Sequence, residues 1–175
     1  MDVQVAISGD FFKAYSRLPR GTQSKVSEFI AKFQSNPTSS GINYEKIRDA
    51  KDEGMHSVRI DQKYRGIIFK PKSGSLYMLV WVDDHDDAYD WAKRHKCQIN
   101  PDTGTLQIFA TQSIDLIEEA DDASADFVVK GAFDELKDKQ LKQLGLPEEQ
   151  INLVRKVVTE ADLDRLDGLI PAEAY

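Results

Sequence analysis

The chain opens with one alternating β-rich run and two helical patterns. VQVAI (3–7) predicts a first strand. Ser8 can cap a helix that ends near Pro19, and a second helix begins at about Gly21 and stops at Asn36–Pro37. Each helix has one apolar face, formed by Phe11, Phe12, Tyr15 and Leu18 in the first and by Val26, Phe29, Ile30 and Phe33 in the second. The aromatic face of this helix hairpin needs a sheet to cover it.

Three β-rich runs supply that sheet. They are HSVRI (56–60), YRGIIF (64–69) and SLYMLVWV (75–82), and short polar segments separate them. This spacing predicts an antiparallel meander. Because the last run is apolar on both faces, we expect it to be the central strand.

A helix is predicted over residues 83–96, DDHDDAYDWAKRHK. Its aspartates crowd the first turn and its basic residues lie in the last turn, as the helix dipole favours. Residues 100–104 then form a turn, and TLQIF (105–109) is expected to add an edge strand. These elements predict an α+β domain over residues 1–110, with the helix hairpin packed on an antiparallel sheet and a helix after its last strand.

The rest of the chain predicts a linker and short helices. Residues 111–130 are acidic and weakly patterned, which indicates a connector. A helix is expected over 133–145 with Gly145 as its C-cap, and Pro147 opens the next one. A T-x-x-D cap for a third helix is formed by Thr159 and Asp162. Because short helices bury little apolar surface by themselves, we interpret residues 131–175 as the truncated start of a larger helical region.

Composition excludes several classes of protein. With 175 residues, 41% of them apolar and 9% aromatic, the chain can form one core of normal size and an appendage. It is not collagen-like, disulfide-rich or of low complexity, and no run approaches the roughly 18 apolar residues of a membrane span. The single cysteine, Cys97, allows no internal disulfide, and no secretory signal is visible. We therefore expect a cytoplasmic protein without a membrane partner.

Charge differs between the two parts of the chain, whose net charge is −7. Residues 1–100 contain 16 Lys or Arg and 13 Asp or Glu, whereas residues 101–175 contain 7 and 17. RNA or DNA would therefore be attracted to the first part and repelled by the second.

The predicted order β-α-α-β-β-β-α over residues 1–97 resembles the RelE and ParE superfamily of bacterial toxins. The resemblance lies in the helix hairpin, in HSVRIDQKYRGIIF and in VWVDDHDDAYDWAKRH. It implies the fold of that superfamily and two possible activities. RelE-like toxins cut mRNA on the ribosome by attack of a 2′-hydroxyl on the adjacent phosphate, which needs cations, an acid and a base. ParE-like toxins bind a topoisomerase, and an antitoxin usually accompanies free toxins of either kind.

The resemblance implies roles for individual side chains. Arg59 and Arg65 match strand residues that meet the scissile phosphate. His85 matches a basic position that serves as acid or base, and Tyr89 matches the aromatic residue that stacks on a base. The cationic residues expected to bind nucleic acid are Lys63, Arg65, Lys70 and Lys72. No cofactor, metal or small-molecule substrate is implied.

Acidic residues depart from the pattern of the family. Four aspartates, Asp83, Asp84, Asp86 and Asp87, surround His85. In addition, Ser57 stands where a lysine is expected. Carboxylates beside a phosphate site would repel RNA. We therefore expect a module that is catalytically degenerate and binds nucleic acid or a protein partner.

Other interpretations of these residues stay open. Arg59 and Arg65 can be surface or edge-strand residues paired with acids, and His85 can be a solvated residue of the first helical turn. Tyr89 and Trp91 can pack against the preceding strand. The aspartate run offers oxygen ligands for a metal, although helix capping explains it without one.

The chain also resembles the N-terminus of bacterial proteins in which a RelE-like domain precedes a superfamily 1 DNA helicase similar to UvrD and Rep. The residues that carry this resemblance are DDHDDAYDWAKRHKCQINPDTGTLQIF and LGLPEEQINLVRKVVTEADLDRLDGLIPAEAY. No G-x-x-x-x-G-K-[ST] motif occurs, so any helicase activity would belong to other residues of such a protein. Three hypotheses remain: a non-catalytic binding module of a helicase-like protein, an active endoribonuclease, and a ParE-like inhibitor of a topoisomerase.

Overall fold

A computed structural model of the chain describes residues 3–70, 72, 75–111 and 130–175. The chain divides into two compact units, Met1–Arg94 and His95–Tyr175, which we call the first and the second unit. The predicted domain boundary at residue 110 differs from this division, which places residues 95–110 in the second unit. Most of the predicted linker, residues 112–129, lies outside the described residues. Within the described residues, no helix combines the length and the apolar character needed to cross a membrane.

The described part of the first unit is an α+β arrangement of five strands and three helices. The strands are β1 (Gln4–Ile7), β2 (Tyr44–Lys46), β3 (Met55–Arg59), β4 (Tyr64–Phe69) and β5 (Leu76–Asp84). The helices are α1 (Gly9–Arg17), α2 (Arg20–Ser35) and α3 (His85–Arg94). One sheet contains all five strands in the order β1-β5-β4-β3-β2. β1 runs parallel to β5, and the other neighbours are antiparallel.

The predicted meander of β3, β4 and β5 is confirmed, but the prediction that its last run is the central strand was wrong. β4 lies at the centre, and β5 lies between β4 and β1. β5 is apolar on both faces because helices cover both faces of the sheet. The short polar strand β2, YEK, was not predicted because it lacks the β-branched residues that mark the other strands.

The α1–α2 hairpin covers one face of the sheet, as the sequence predicts. Ser8 caps α1, since its side chain accepts a hydrogen bond from the Phe11 N–H at 3.1 Å. The main core lies between the hairpin and the sheet. Its buried members are Phe11, Ala14, Leu18, Val26, Phe33, Ile42, Val58, Ile68, Leu79 and Val82.

α3 packs on the opposite face. Because side chains alternate along a strand, Ser57, Ile67 and Trp81 lie side by side on that face of β3, β4 and β5. Trp91 of α3 stacks on Trp81 with a centroid distance of 5.0 Å and an interplanar angle of 5°. The Tyr89 hydroxyl lies 2.8 Å from the Ser57 hydroxyl.

The predicted helix over residues 83–96 is shorter in the structure. Its first two residues complete β5, where Asp83 pairs with Arg65 and Asp84 with Tyr64. Its last two residues begin β6 (His95–Ile99) of the second unit. The predicted strand over 105–109 exists as β7 (Leu106–Ala110), but it pairs with β6 in a separate two-stranded sheet instead of joining the edge of the larger one.

The described residues of the second unit also form three short helices: α4 (Asp138–Gln143), α5 (Ile151–Arg155) and α6 (Glu160–Asp164). The helix predicted over 133–145 was too long at its start, because Arg155 donates hydrogen bonds to the carbonyl oxygens of Phe133 and Leu136. A 3₁₀ turn, Glu148–Gln150, follows Pro147 and precedes α5. The predicted cap of α6 is confirmed, since Thr159 and Asp162 form a capping box.

The second unit has an apolar core of its own, contrary to the expectation that short helices bury little. Its buried members are Leu141, Leu146, Ile151, Leu153, Val154, Val157, Leu166 and Ile170. α4 ends in a Schellman motif, in which the Leu146 N–H bonds the Leu141 carbonyl at 3.1 Å. Gly145 supplies the left-handed residue of this motif with φ +100°, as its predicted C-cap role requires.

Two adjacent phenylalanines test the predicted core of the first unit. Phe11 is fully buried, whereas Phe12 is 53% exposed. Phe11→Ala should lower the free energy of unfolding by about 3–5 kcal/mol, and Phe12→Ala by less than about 1 kcal/mol. Urea unfolding followed by tryptophan fluorescence measures both, since Trp81 and Trp91 belong to this unit. Equal losses would contradict the described packing of α1.

Substitution of two glycines with positive φ distinguishes the effect of backbone strain from that of steric clash in the second unit. A Cβ on Gly168, with φ +73°, meets no heavy atom within 4 Å, whereas a Cβ on Gly145 would lie 2.6 Å from Cγ of Glu173. Gly168→Ala should lower the free energy of unfolding by about 1–2 kcal/mol, because of backbone strain alone. Gly145→Ala should lower it further, because the Glu173 side chain must also move. Urea unfolding followed by circular dichroism compares the two variants. A smaller loss for Gly145→Ala would refute this local geometry.

Candidate functional site

The two arginines of the predicted site lie directly opposite each other at one end of the sheet. Arg59 ends β3, Arg65 follows the first residue of β4, and the two are paired in the register. Within the described residues, no hydrogen bond or ion pair involves the exposed Arg59 guanidinium. The predicted pairing of Arg59 with an acid is therefore not found in the part of the chain that the structure describes.

Arg65 is buried, with 6% of its surface exposed. Its Nη1 donates to the carbonyl oxygens of Asp61 at 2.9 Å and Tyr64 at 3.0 Å. Its Nε has no hydrogen-bond partner among the described residues. The guanidinium thus closes the turn between β3 and β4 and is not exposed to a phosphate. The alternative that Arg65 is a surface residue was wrong.

Asp61 holds the same turn from its other side. Its Oδ1 accepts the backbone N–H groups of Lys63 at 2.8 Å and Tyr64 at 2.9 Å, and its Oδ2 pairs with Lys25 Nζ at 2.7 Å. The hydrogen bond from Lys25, followed by that from the Tyr64 N–H, lowers the pKa of Asp61 to about 2. The turn that carries Lys63 is therefore fixed by a carboxylate as well as by Arg65.

His85 begins α3 at this same end of the sheet. Its backbone N–H donates to the Lys63 carbonyl at 2.9 Å, and its Nδ1 lies 2.8 Å from Oδ1 of Asp86. The imidazole stacks on the Tyr89 ring at a centroid distance of 4.4 Å and an interplanar angle of 22°. The side chain is 47% exposed, so solvent can reach it.

Tyr89 contacts the sheet as well as His85. Its hydroxyl lies near the fully buried Ser57 and donates to Oε2 of Glu45 at 3.5 Å. A lysine at position 57 would place a charge beneath α3, whereas serine completes a hydrogen bond there. His85 therefore covers one face of the Tyr89 ring, and the Tyr89 hydroxyl contacts residues of the sheet.

Three carboxylates meet beside these residues. Oxygen atoms of Asp83, Asp84 and Asp87 all lie within 4.8 Å of one another. Asp84 Oδ1 accepts the Asp87 N–H at 3.3 Å, which is the capping interaction that the sequence predicts. Burial, followed by the charges of Asp87 and Asp84, raises the pKa of Asp83. These three oxygen donors are the residues that could hold a divalent cation in this part of the molecule.

The predicted nucleic-acid-binding lysines lie at both ends of the sheet. Lys63 is at the end just described, 3.8 Å from Asp84. Lys70 and Lys72 follow β4 at the other end, where β3 begins and β5 starts. We call the first the acidic end and the second the basic end.

The basic end combines lysines with tyrosine rings. Lys70 Nζ lies 5.7 Å from the ring centroid of Tyr44 and 5.7 Å from that of Tyr77. Lys72 Nζ pairs with Oε2 of Glu53 at 2.7 Å, and both side chains are 81% exposed. The hydrogen bond from Lys72 is the largest cause of the lowered pKa of Glu53, and the charge of Lys46 adds to it.

The sequence analysis did not identify several residues that lie at the two ends of the sheet. Glu45, Tyr44 and Lys46 belong to β2, whose short polar sequence gave no strand signal. Tyr77 lies within a predicted strand, but only the three-dimensional arrangement brings its ring to Lys70. The Arg59–Arg65 pairing, in contrast, follows from the hairpin itself, because each arginine lies next to the turn.

Solved structures of toxins are similar to part of this chain. The archaeal RelE–RelB complex from Pyrococcus horikoshii is 19% identical with a TM-score of 0.37, and the match covers 48% of this chain and 96% of that chain. The RelB–RelE complex from Methanococcus jannaschii is 16% identical with a TM-score of 0.40, covering 49% and 96%. A YoeB/ParE toxin from Agrobacterium tumefaciens is 16% identical with a TM-score of 0.38, covering 47% and 99%.

A scan against models of protein families found no match, and neither did a search of curated proteins. The Agrobacterium tumefaciens structure is of a toxin and the Methanococcus jannaschii structure is of an antitoxin–toxin complex, and none of the three supports the link to a helicase. At these identities and TM-scores the likeness carries no argument about activity. A functional proposal for this chain must rest on its own side chains.

Two aspartates should respond to pH in opposite directions. The folded pKa of Asp61, about 2, lies below its ordinary value of 3.8, so its contribution to stability is present above 3.8 and is lost as the pH falls toward about 2. The folded pKa of Asp83 is raised, so its charge destabilises the fold as the pH rises through that value. Asp61→Asn should lower the free energy of unfolding at neutral pH by about 1 kcal/mol or less, and Asp83→Asn should increase it.

Urea unfolding by tryptophan fluorescence, from about pH 1 to neutral pH, measures both effects. Each asparagine keeps one oxygen acceptor, which at position 61 can still accept from the Lys63 and Tyr64 N–H groups, so this variant removes the charge together with the hydrogen bond from Lys25. The two variants should converge with the wild type at the acid limit, where both carboxyls are protonated. A loss of stability for Asp83→Asn at neutral pH would contradict the described burial of that carboxylate.

Proposed function

We propose that the first unit is a non-catalytic module that binds single-stranded nucleic acid through its basic end. The observation that carries the proposal is the position of Lys70 over the rings of Tyr44 and Tyr77. Surfaces that bind single strands combine aromatic rings, on which bases stack, with cations that follow the backbone. Both rings are half-buried and pack against the core, so a base would contact the ring surface that Lys70 covers, after the ammonium group has moved to a phosphate.

The distribution of charge supports the basic end as the contact surface. Lys46, Lys70 and Lys72 lie there, where Glu53 forms an ion pair with Lys72 and the charge of Asp52 also acts on Lys72. At the acidic end, the clustered carboxylates would repel a polyanion. A single strand of RNA or DNA that approaches the first unit would therefore be attracted to the basic end of the sheet and repelled from the acidic end.

The arrangement of the predicted catalytic residues supports a binding role over a catalytic one. Catalysis of phosphate cleavage requires cations aimed at the charge that develops in the transition state. Arg65 instead donates to two backbone carbonyls in a buried position. His85 covers one face of the Tyr89 ring, and the Tyr89 hydroxyl lies within hydrogen-bonding distance of Ser57, so both contacts hold Tyr89 against the first unit.

An active endoribonuclease remains the second candidate because of two observations. Arg59 is exposed at the acidic end, and the half-exposed His85 begins α3 at the same end. An acid or base and one cation are thus present there.

Within a helicase-like protein, the first candidate would act as an accessory that holds a single strand, and that accessory role is part of our proposal.

Lys70→Ala tests the first candidate by fluorescence anisotropy with labelled single-stranded RNA and DNA at several salt concentrations. Loss of one phosphate contact should weaken binding and reduce the slope of log affinity against log salt concentration by about 0.7. Lys25→Ala is the matched control, because it removes the same charge next to Asp61 at the acidic end. It should leave the slope unchanged.

Three results would decide against this proposal. A slope that falls with Arg59→Ala but not with Lys70→Ala would move the contact to the acidic end. RNA cleavage that is lost on His85→Ala would establish the endoribonuclease. If neither RNA nor DNA binds in a salt-dependent way, both candidate functions are excluded and a module that binds protein is favoured.

A further inference from the structure

A cavity of about 220 Å³ lies within the second unit. Gln98, Asn100 and Asp102 line it from β6 and the turn that follows, and Lys142 and Glu148 line it from the segments around α4. Pockets for drug-sized ligands measure roughly 300–1,000 Å³. This cavity is smaller, so it fits a single side chain or a single ring.

Two buried amides fix the walls of the cavity. Asn100 is 3% exposed, and its Oδ1 accepts the N–H groups of Asp102 at 2.8 Å and Thr103 at 3.3 Å. Gln107 is 2% exposed, and its Nε2 donates to the Gly145 carbonyl and to Glu173. Because these side chains are held by their hydrogen bonds, the cavity is formed before any ligand arrives.

The groups that remain for a ligand are hydrogen-bond acceptors. Gln98 donates from Nε2 to Gln107 Oε1 at 3.3 Å, and its own Oε1 accepts no hydrogen bond within the described residues. The Asp102 carboxylate makes no ion pair in the part of the chain that the structure describes. Glu148 pairs with Lys142 at 3.0 Å, so the lysine charge is already compensated. The cavity therefore favours a ligand that donates hydrogen bonds and carries positive charge.

Apolar groups complete the lining. Pro101, Leu146 and Pro147 also face the cavity. The apolar surfaces of two proline rings and a leucine side chain suit the methylene groups and the weakly hydrated faces of a guanidinium better than a compact, strongly hydrated ammonium. The shape and the acceptors thus favour arginine over lysine.

The net charge of the second unit also favours a positively charged ligand. Residues 95–175 contain 8 Lys or Arg and 17 Asp or Glu, a net charge of −9. A unit of this charge attracts a basic protein segment and repels nucleic acid. We propose that the cavity of the second unit, which we call the amide pocket, binds an arginine side chain of a basic protein partner.

The test is a titration of the whole chain with the blocked tripeptide Gly-Arg-Gly, followed by nitrogen–proton correlation spectra. The side-chain amide signals of Gln98 and Asn100 should shift and saturate. The same tripeptide with citrulline in place of arginine is the matched probe, because it keeps the shape and removes the charge. It should cause much smaller shifts.

Two variants separate the amide pocket from the general charge of the unit. Asp102→Asn should weaken binding roughly two- to fivefold, and Gln98→Ala should also weaken it without a change in charge. Asp167→Asn is the control, since it removes one exposed charge from the same unit but does not line the cavity. It should bind as the wild type does.

Three results would overturn the proposal. Equal shifts with the citrulline peptide would show that charge is not recognised. Equal weakening by Asp167→Asn and Asp102→Asn would show attraction to the unit without a pocket. A parallel titration with adenosine that shifts the Gln98 signal, where the arginine peptide does not, would identify a nucleobase site.

Discussion

Trp91 stacks on Trp81 with nearly parallel rings, and this contact holds α3 on the face of the sheet that carries Ser57. A stack of two large rings removes much apolar surface from water and also fixes the angle between the helix and the strand beneath it. The start of α3 is thereby placed at the end of β5, next to the turn between β3 and β4. The positions of His85 and Tyr89 both depend on this packing.

The same packing separates the charges of the first unit. β5 runs directly into α3, so the aspartates that the helix dipole favours are gathered at one end of the sheet. The lysines that follow β4 are left at the other end. An acidic helix start and a basic strand end are each ordinary features. Their placement at opposite ends of one sheet gives the first unit an uneven distribution of charge.

The sequence predicted the elements with strong periodicity and missed those without it. The helix hairpin and the meander follow from apolar spacing, and the caps at Ser8 and Thr159 follow from side chains that bond their own backbone. β2 and β6 were missed because polar residues form much of each strand. Residues 95–96 also complete the helical pattern of 83–96, which hides the start of β6.

The candidate site was only partly predictable for a different reason. The hairpin register brings Arg59 and Arg65 together, and that can be inferred from their positions beside the turn. Whether an arginine side chain is exposed to solvent or bonds to backbone carbonyls depends on the conformation of the turn. Arg65 is buried because Asp61 and Tyr64 present their carbonyl oxygens to it. The amide pocket likewise requires contacts between residues about forty positions apart.

The parallel pairing of β1 with β5 has a consequence for how the first unit acquires its fold. The Ser8 hydroxyl donates to the Val80 carbonyl across 72 positions of the sequence. On a ribosome, β1 and the cap of α1 emerge early, but their partners in the sheet are synthesised only after β2, β3 and β4. The α1–α2 hairpin must therefore wait with its aromatic face unpaired while the meander forms. Joining β1 to β5 closes a long loop, so it costs more conformational entropy than pairing the neighbouring strands of the meander.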